Sequence, residues 1–235
     1  MGKSIFQFKK FSIEQDRCGM KVTTDSCLFG AWAANQLTET KEILESGAGT
    51  GLLSLMLAQR SKANVDAVEI ESSCYQQLNE NIDRSPFSEK INPIHLDIKD
   101  HSKQGYDVII SNPPFHQDQL RSDNTQINYA RHEAGLTLEQ LFGIATNLMT
   151  EKGCLFILLP FYRKIEALEL ATSMNWFPVK ITTVFHSKNH QPFRAMFLFS
   201  KEESRCDEDE IFIYDEGENY TSDFSKLLQP YYLYL

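Results

Sequence analysis

The sequence predicts an α/β fold with a doubly wound, mostly parallel sheet of seven strands and an antiparallel hairpin at one edge. Three observations support this prediction. From residue 41 onward, short apolar runs alternate with amphipathic stretches. Early apolar runs end at turn-forming residues such as Gly47 and Asn112. The last two apolar runs lie too close together for a helix between them. Parallel strands need long, usually helical connections, whereas a short loop joins antiparallel neighbours.

The predicted elements follow the chain in the order that such a sheet requires. Strands are expected at 41–46, 65–70, 91–98, 106–111, 153–160, 176–185 and 194–201. Helices are expected at 26–36, 52–60, 72–84, 137–150 and 163–174, where apolar residues recur with helical spacing. A strand, a turn and a short aromatic-rich helix are expected after residue 201. We expect one domain over residues 1–235, with an N-terminal extension (1–40), a core (41–200) and a C-terminal extension (201–235).

The composition is that of a folded domain and excludes several classes of protein. The 235 residues are 42% hydrophobic and 11% aromatic, which argues against disorder. No apolar run approaches the ~18 residues of a membrane helix, and the N-terminus lacks the apolar core of a secretory signal. The five cysteines form no C-x-x-C pair. We therefore expect them to be mostly reduced and buried, without a zinc site, in a cytoplasmic protein.

The net charge of −9 comes from one segment of the chain. Residues 201–223 contain ten acidic and two basic residues, and the rest of the chain contains 22 acidic and 21 basic residues. Residues 1–21 carry five basic residues against two acidic ones. An acidic total therefore does not exclude a basic face that binds nucleic acid. We expect the acidic stretch at 202–218 to be solvated and to lie away from such a face.

A glycine-rich turn follows the first predicted strand of the core. It reads ESGAGTG over residues 45–51 and precedes a helix. Glycines let the backbone turn tightly and approach a ligand closely. A dinucleotide-binding fingerprint, G-x-G-x-x-G, would place its third glycine at the position of Leu52. The pattern E-x-G-x-G-x-G instead resembles motif I of S-adenosylmethionine (SAM)-dependent methyltransferases, and it disfavours a nicotinamide-dependent oxidoreductase.

Two acidic residues end later strands at positions that suit a nucleoside cofactor. Glu69 lies about 20 residues beyond the glycines, where a carboxylate can accept both ribose hydroxyls. Asp97 ends the third predicted strand. The resemblance implies that Asp97 lies beside the cofactor adenine, where it can accept from an exocyclic amino group. Either acid could instead be a solvated or capping residue, and it is their combination with the glycine turn that favours a cofactor.

The sequence Asn112-Pro113-Pro114-Phe115 directly follows the apolar strand at 106–111. The prolines fix φ and remove N–H donors. The side-chain oxygen of Asn112 and the carbonyl of Pro113 can then accept two hydrogen bonds from one planar NH₂ group. Phe115 offers a face on which a flat substrate can stack. The motif resembles motif IV of amino-group N-methyltransferases, which act on adenine N6, guanine N2 or a glutamine amide.

A segment before the first strand of the core favours one of these acceptors. The stretch CGMKVTTDSCLFGAWA, residues 18–33, resembles the N-terminal signature of the bacterial tRNA(Val) adenine-N6-methyltransferase family. The resemblance covers about residues 5–235 and includes DVIISNPPF (107–115). It implies a Rossmann-like class I SAM-dependent methyltransferase that methylates N6 of the adenine 3′ of the anticodon, adenine 37, in tRNA1(Val). Phe115 stands where Tyr is common in the family, and either side chain keeps the aromatic face.

The site residues expected from the motifs and the resemblance fall into three groups. The catalytic group is Asn112, Pro113, Pro114 and Phe115. The cofactor-binding group is Lys21, Thr24, Asp25, Glu45, Gly47, Gly49, Gly51, Glu69, Ile70, Asp97, Ile98 and Asn112. The RNA-binding group is Lys9, Lys10, Arg131, His132, Lys188 and Arg194. The expected cofactor is SAM, the expected partner is a tRNA anticodon stem-loop, and no metal or membrane is expected to take part.

Two other functions remain open on the sequence alone. An enzyme of the same fold could methylate guanine N2 in rRNA or a glutamine amide in a protein, because the Asn-Pro-Pro-Phe motif does not distinguish these amines. A non-catalytic RNA-binding partner subunit with the same fold would usually lose the glycine turn or this motif, and both are intact here. Methyl-acceptor assays with tRNA, rRNA and protein separate the enzymes, and a test of SAM binding identifies a degenerate module.

Overall fold

The computed structural model describes residues 4–113 and 136–235. Near the N-terminus, β1 (Ile5–Gln7) and β2 (Ser12–Glu14) form a small antiparallel sheet. Helix α1 (Thr24–Gln36) follows, and the side chain of Thr23 caps it by accepting from the N–H of Ser26. The predicted helix at 26–36 is therefore present and begins two residues earlier.

The main sheet, within the described residues, has eight strands. In chain order they are β3 (Glu42–Ser46), β4 (Asn64–Glu69), β5 (Ile91–His95), β6 (Tyr106–Ser111), β7 (Met149–Pro160), β8 (Phe177–Phe185), β9 (Pro192–Ser200) and β10 (Asp207–Phe212). The helices beside them are α2 (Leu52–Arg60), α3 (Ser72–Asp83), α4 (Leu138–Leu148), α5 (Lys164–Ser173) and α6 (Ser222–Leu228).

The order across the sheet is β5-β4-β3-β6-β7-β9-β8-β10. Strand β9 is antiparallel to β7 and β8, and the other neighbours are parallel. The α/β fold class and the mostly parallel sheet with an antiparallel hairpin are therefore confirmed. The expected count of seven strands is one short, because β10 from the C-terminal segment pairs in parallel with β8 and takes the edge beside the hairpin.

Strand β10 contains part of the acidic run. Lys180 of β8 forms ion pairs with Asp207 and Asp209 at 2.7 and 2.8 Å, and Lys164 pairs with Glu208 at 2.9 Å. Ile211 of the same strand is buried. These acids therefore help to hold an edge strand, and their exposed charges also discourage pairing with another chain.

Helices pack on both faces of the sheet, and each face has a hydrophobic cluster. On one face, Gly30 of α1 lies so close to α2 that an added Cβ would be 2.6 Å from the sulfur of Met56. The hydroxyl of Tyr231 donates to the carbonyl of Met56 at 3.1 Å, so the C-terminal tail packs on this face as well. On the other face, the rings of Phe142 and Phe199 meet edge to face at 5.2 Å.

A disulfide joins Cys18, which follows β2, to Cys74 in the first turn of α3. Both cysteines are buried as expected, but the expected reduced state is wrong for this pair, whose members lie 56 positions apart in the sequence. Cys27 is free and buried, whereas Cys154 and Cys206 are free and partly exposed. Among the helices of residues 4–113 and 136–235, none combines the length and the apolar character needed to cross a membrane.

Candidate active site

A cavity of about 500 Å³ opens at the carboxyl ends of β3, β4 and β6. Ligands of open α/β sheets bind at this edge, outside the carboxyl ends of the strands. The wall of the cavity contains a large share of the residues expected from the sequence: Gly47, Gly49, Glu69, Ile70, Asp97, Ile98, Asn112 and Pro113. A smaller pocket of about 50 Å³ is also bordered by Asn112 and Gly49 and adds Lys21 and Glu45.

The glycine turn forms the floor between β3 and α2. Gly47 and Gly49 have φ values of +74° and +57°, a region that disfavours other residues, and an added Cβ on either would meet no atom within 4 Å. Both glycines line the cavity, so a side chain there would occupy ligand space. Gly51 differs, because an added Cβ would lie 2.7 Å from Leu78 of α3. Gly51 is thus placed against α3 and allows close packing.

Glu69, at the end of β4, joins the glycine turn to the start of α3. Its Oε2 accepts from the N–H of Gly49 at 2.8 Å, and its Oε1 accepts from the N–H of Glu71 at 2.9 Å. Each carboxylate oxygen has two lone pairs, so acceptor capacity remains for hydroxyl donors. The side chain is buried at 8% exposure. The geometry fits a ribose diol at this edge of the cavity.

Asp97 and Ile98 follow β5 and form another part of the wall. Asp97 caps a short 3-10 turn by accepting from the N–H of Lys99 at 3.0 Å, and its other oxygen lies 3.1 Å from the Lys99 ammonium. Asp97 is therefore a capping acid that also faces the cavity. Ile70 is 58% exposed and Ile98 is buried, and both offer apolar surface to a flat ring.

Glu45 of β3 is 2% exposed and borders the smaller pocket. Its Oε2 accepts from the N–H of Ser54 at 2.8 Å and from the Ser54 hydroxyl. Burial raises the pKa of the Glu45 carboxyl to about 8, the hydrogen bonds from Ser54 oppose that rise, and the negative charge of Glu69 adds to it. A buried acid of this kind is suited to a cationic ligand group, which would favour its ionised form.

Asn112 and Pro113 lie at the end of β6, in the middle of the sheet. The hydroxyl of Ser111 donates to the carbonyl of Ser46 at 2.9 Å and holds the ends of β6 and β3 together. The Asn112 amide is 3.9 Å from the sulfur of Met20, measured from Nδ2. Asn112 borders both the cavity and the smaller pocket, so it stands between them.

The expected residues before β3 are only partly at the cavity. The Lys21 ammonium donates to the carbonyl of Gln15, and Lys21 borders the smaller pocket. Thr24 and Asp25 lie in the first turn of α1 and line neither space. The Oδ2 of Asp25 instead pairs with Nε of Arg194 at 2.6 Å, so residues expected to bind the cofactor and RNA separately bind each other.

Of the six residues expected to bind RNA, the four that the structure describes lie in two regions. Lys188 is exposed in the β8–β9 connection, and Arg194 lies near the start of β9. Both lie at the edge of the sheet that contains the carboxyl end of β6. Lys9 and Lys10 are exposed between β1 and β2, and the Lys9 ammonium donates to the carbonyl of Gln229 at 2.6 Å.

Four expected residues, Pro114, Phe115, Arg131 and His132, lie outside the described residues. Among the residues that are described, no group of three His, Cys, Asp or Glu side chains is arranged to hold a metal ion.

Sequence reasoning missed part of the cavity wall. The wall also contains four residues whose types do not by themselves indicate a cofactor site: Cys18, Met20, Cys74 and Leu96. Cys18 and Met20 belong to the N-terminal segment that resembles the tRNA methyltransferase family. Their position in that segment, three and one residues before Lys21, was the available signal.

Comparison with known proteins assigns the chain to a family. The model of the methyltransferase small domain family matches residues 32–166. A tRNA1(Val) (adenine(37)-N6)-methyltransferase from Christiangramia forsetii is 39% identical over 100% of both chains, and one from Dyadobacter fermentans is 38% identical over 97% of both. The crystal structure of a predicted O-methyltransferase from Agrobacterium tumefaciens has the same fold, with a TM-score of 0.69 at 17% identity over 87% of this chain and 95% of that one. The chain therefore belongs to the tRNA1(Val) (adenine(37)-N6)-methyltransferase family.

Proposed function

We propose that the protein transfers a methyl group from SAM to N6 of adenine 37 in tRNA1(Val). The observation that carries the proposal is the position of Asn112 and Pro113, which line the same cavity as the Gly47–Gly49 turn and Glu69. An acceptor site for an amine thus adjoins a site for a nucleoside cofactor. The family names of the full-length relatives support tRNA and adenine N6 as the substrate and the acceptor.

The residues around the cavity fit SAM in three respects. Glu69 can accept from the ribose hydroxyls, because its remaining lone pairs are not used by Gly49 and Glu71. Asp97, Ile70 and Ile98 together offer an acceptor and apolar surface for the adenine ring. The buried Glu45 carboxyl can pair with the ammonium of the methionine portion, which would favour its ionised form. Bound SAM supplies a methyl group on a positively charged sulfur.

The chain itself contributes positioning and hydrogen bonding. The Oδ1 of Asn112 and the carbonyl of Pro113 would accept the two N–H bonds of the target amine. Held in this way, the nitrogen could approach a tetrahedral geometry, so that its lone pair is less delocalised into the ring and can point toward the methyl group. With the amine held there, nitrogen would bond to the methyl carbon as the carbon–sulfur bond breaks, its electron pair would stay on the sulfur, and the nitrogen would lose one proton to solvent. Correct placement of the two reactants alone can account for a large part of the acceleration over the uncatalysed reaction. Pro114 and Phe115 stay predicted members of this site.

The target adenine must leave its stack to enter the cavity. Loop bases are already partly unstacked, so this step costs only a few kcal/mol. We propose that Lys188, Lys9 and Lys10 attract the anticodon stem-loop, together with Arg131 and His132. Arg194 contributes less free charge because Asp25 neutralises it. Asp215 and Glu216, which follow β10, border the same pocket as Lys188, so this part of the acidic stretch lies beside the proposed RNA-binding edge.

The test is methyl transfer from labelled SAM to unmodified total tRNA, to rRNA and to protein as separate acceptors, followed by nucleoside analysis of the RNA. The wild-type protein is expected to form N6-methyladenosine, and Asn112→Ala to be at least about 100-fold slower, because the amine loses one of its two acceptors. Asn147→Ala changes an exposed residue of α4 and serves as the control. Label in N2-methylguanosine or in protein would favour the other amine acceptors. Failure to bind SAM would favour a non-catalytic RNA-binding subunit.

A further inference from the structure

We propose that Met20 is a positioning residue for methyl transfer, because its sulfur holds the Asn112 amide in the orientation that accepts from the target amine. The inference rests on the proposed function, since it concerns the same amine site. Met20 lies in the N-terminal segment at 18–33, but its side chain is apolar and 44% exposed, so its residue type does not indicate a role in catalysis.

The starting observation is the contact between the two side chains. Nδ2 of Asn112 lies 3.9 Å from Sδ of Met20, within reach of a weak N–H···S hydrogen bond. Within the part of the chain that the structure describes, this contact is the only hydrogen bond of the Asn112 side chain. Met20 borders both the cavity and the smaller pocket, as does Asn112. Met20 and Asn112 therefore contact each other where the cavity adjoins the smaller pocket.

The chemistry of the contact selects one of two amide orientations. An asparagine side chain has an acceptor oxygen and a donor NH₂ group of nearly equal size. If the amide of Asn112 were reversed, its N–H bonds would face the N–H bonds of the substrate amine, and the amine would lose one of its two acceptors. A thioether sulfur can accept but cannot donate a hydrogen bond. Met20 therefore favours the state in which Nδ2 faces the sulfur and Oδ1 is left for the substrate.

Met20 is held in place by contacts on both sides of it in the sequence. Before it, the carbonyl of Arg17 accepts from the Ser73 hydroxyl at 3.0 Å, and the next residue, Cys18, is bonded to Cys74. After it, the N–H of Val22 donates to the side-chain oxygen of Gln15 at 2.7 Å. The segment is thus fixed before substrate binds, and little ordering remains for the reaction to supply.

The proposal predicts a difference between two substitutions at one position. Met20→Leu keeps an apolar side chain of similar volume but removes the acceptor, so kcat on tRNA is expected to fall about fivefold, the effect of one weak hydrogen bond. The dissociation constant for SAM and the KM for tRNA are expected to stay within about twofold of wild type. Met20→Gln restores an acceptor oxygen and is expected to recover most of the loss in kcat.

Met174→Leu serves as the matched control, because Met174 is partly buried and lines neither the cavity nor the smaller pocket. Calorimetric SAM binding reports whether each variant is folded. Unchanged kcat in Met20→Leu would overturn the inference while leaving the proposed function intact. Equal losses of kcat in the Leu and Gln variants, or a parallel loss of SAM affinity, would also overturn it, because Met20 would then act only as cavity wall. A wild-type protein that forms no N6-methyladenosine would overturn the proposed function and the inference with it.

Discussion

The backbone N–H of Gly49 donates to Oε2 of Glu69 at 2.8 Å, so the glycine turn after β3 is tied to the end of the neighbouring strand β4. The carbonyl of Val68 reinforces this link by accepting from the N–H groups of Gly47 and Ala48 at 3.0 and 2.9 Å. The floor of the cavity is thus held by hydrogen bonds within the chain. Glu69 has this structural role in addition to the ribose contact that we propose for it.

Glu69→Gln tests both roles with little change in size. The amide has one acceptor oxygen instead of two and no charge, so it can satisfy either Gly49 or Glu71 but not both. SAM is expected to bind about tenfold more weakly, as for the loss of one hydrogen bond to a charged group. Calorimetry measures the affinity, and Glu169→Gln, on the exposed side of α5, is the control. Wild-type affinity in Glu69→Gln would contradict the assigned ribose contact.

The pKa of Glu45 gives the protein a specific pH dependence. The folded pKa is raised from an ordinary 4.5 to about 8, so between these values the folded state holds a proton that the unfolded state releases. The free energy of unfolding is therefore expected to fall, through this group, as pH rises from about 5 to about 8. The expected size is on the order of a few kcal/mol, because the side chain is buried.

Glu45→Gln removes this titration and provides the comparison. The stability of Glu45→Gln relative to wild type is expected to increase as pH rises through that window. Denaturant unfolding in the absence of SAM, at several pH values between 5 and 8.5, measures the difference. A constant difference between the two proteins across this range would show that Glu45 is not protonated in the folded state.

The disulfide between Cys18 and Cys74 should stabilise the fold and the cavity. Because it closes a long loop, replacing both residues by Ser is expected to lower the free energy of unfolding by about 2–4 kcal/mol. Cys206→Ser, at a free and partly exposed cysteine, should leave stability unchanged. Reduced wild-type protein should match the double Ser variant in unfolding experiments. Alkylation of all five cysteines in unreduced, denatured protein would contradict the disulfide.

Lys188 and Arg194 should differ in their effects, although both are cations on the same side of the sheet. Lys188 is exposed, so Lys188→Gln is expected to raise the KM for tRNA and to reduce its salt dependence by roughly one phosphate contact. Arg194 is paired with Asp25 at 2.6 Å and is half-buried, so Arg194→Gln is expected to cost about 1 kcal/mol of stability. Steady-state kinetics at two salt concentrations and denaturant unfolding separate the two. A larger salt effect from Arg194→Gln than from Lys188→Gln would reverse this assignment.

The fold could be predicted because its signals are local. The strands of the main sheet other than β10 contain apolar runs, and the runs of β3 and β4 are each followed by a turn and a helix. The close spacing of β8 and β9 also predicted their antiparallel pairing. The parallel pairing of β10 with β8 was not predictable in this way, because it is a tertiary contact that brings together positions such as Lys180 and Asp207, which lie 27 apart in the sequence.

The same distinction holds for the candidate site. The glycine turn, Glu69 and Asn112 were found because their residue types follow strand ends in a recognisable order, and the structure brings them around one cavity. The ion pair between Asp25 and Arg194 joins residues 169 positions apart, and the role of Gly51 depends on the position of Leu78. Contacts of this kind depend on tertiary packing, which no local pattern reports.

A defined substrate gives the most direct test of adenine 37 as the methyl acceptor. Unmodified tRNA1(Val) transcript is incubated with the purified protein and SAM, beside a transcript that has guanine at position 37, and the digested RNA is analysed by mass spectrometry. We expect N6-methyladenosine at position 37 of the first transcript and no methylation of the second. Equal methylation of both transcripts, or methylation of neither by a protein that binds SAM, would contradict the assignment of adenine 37 as the methyl acceptor.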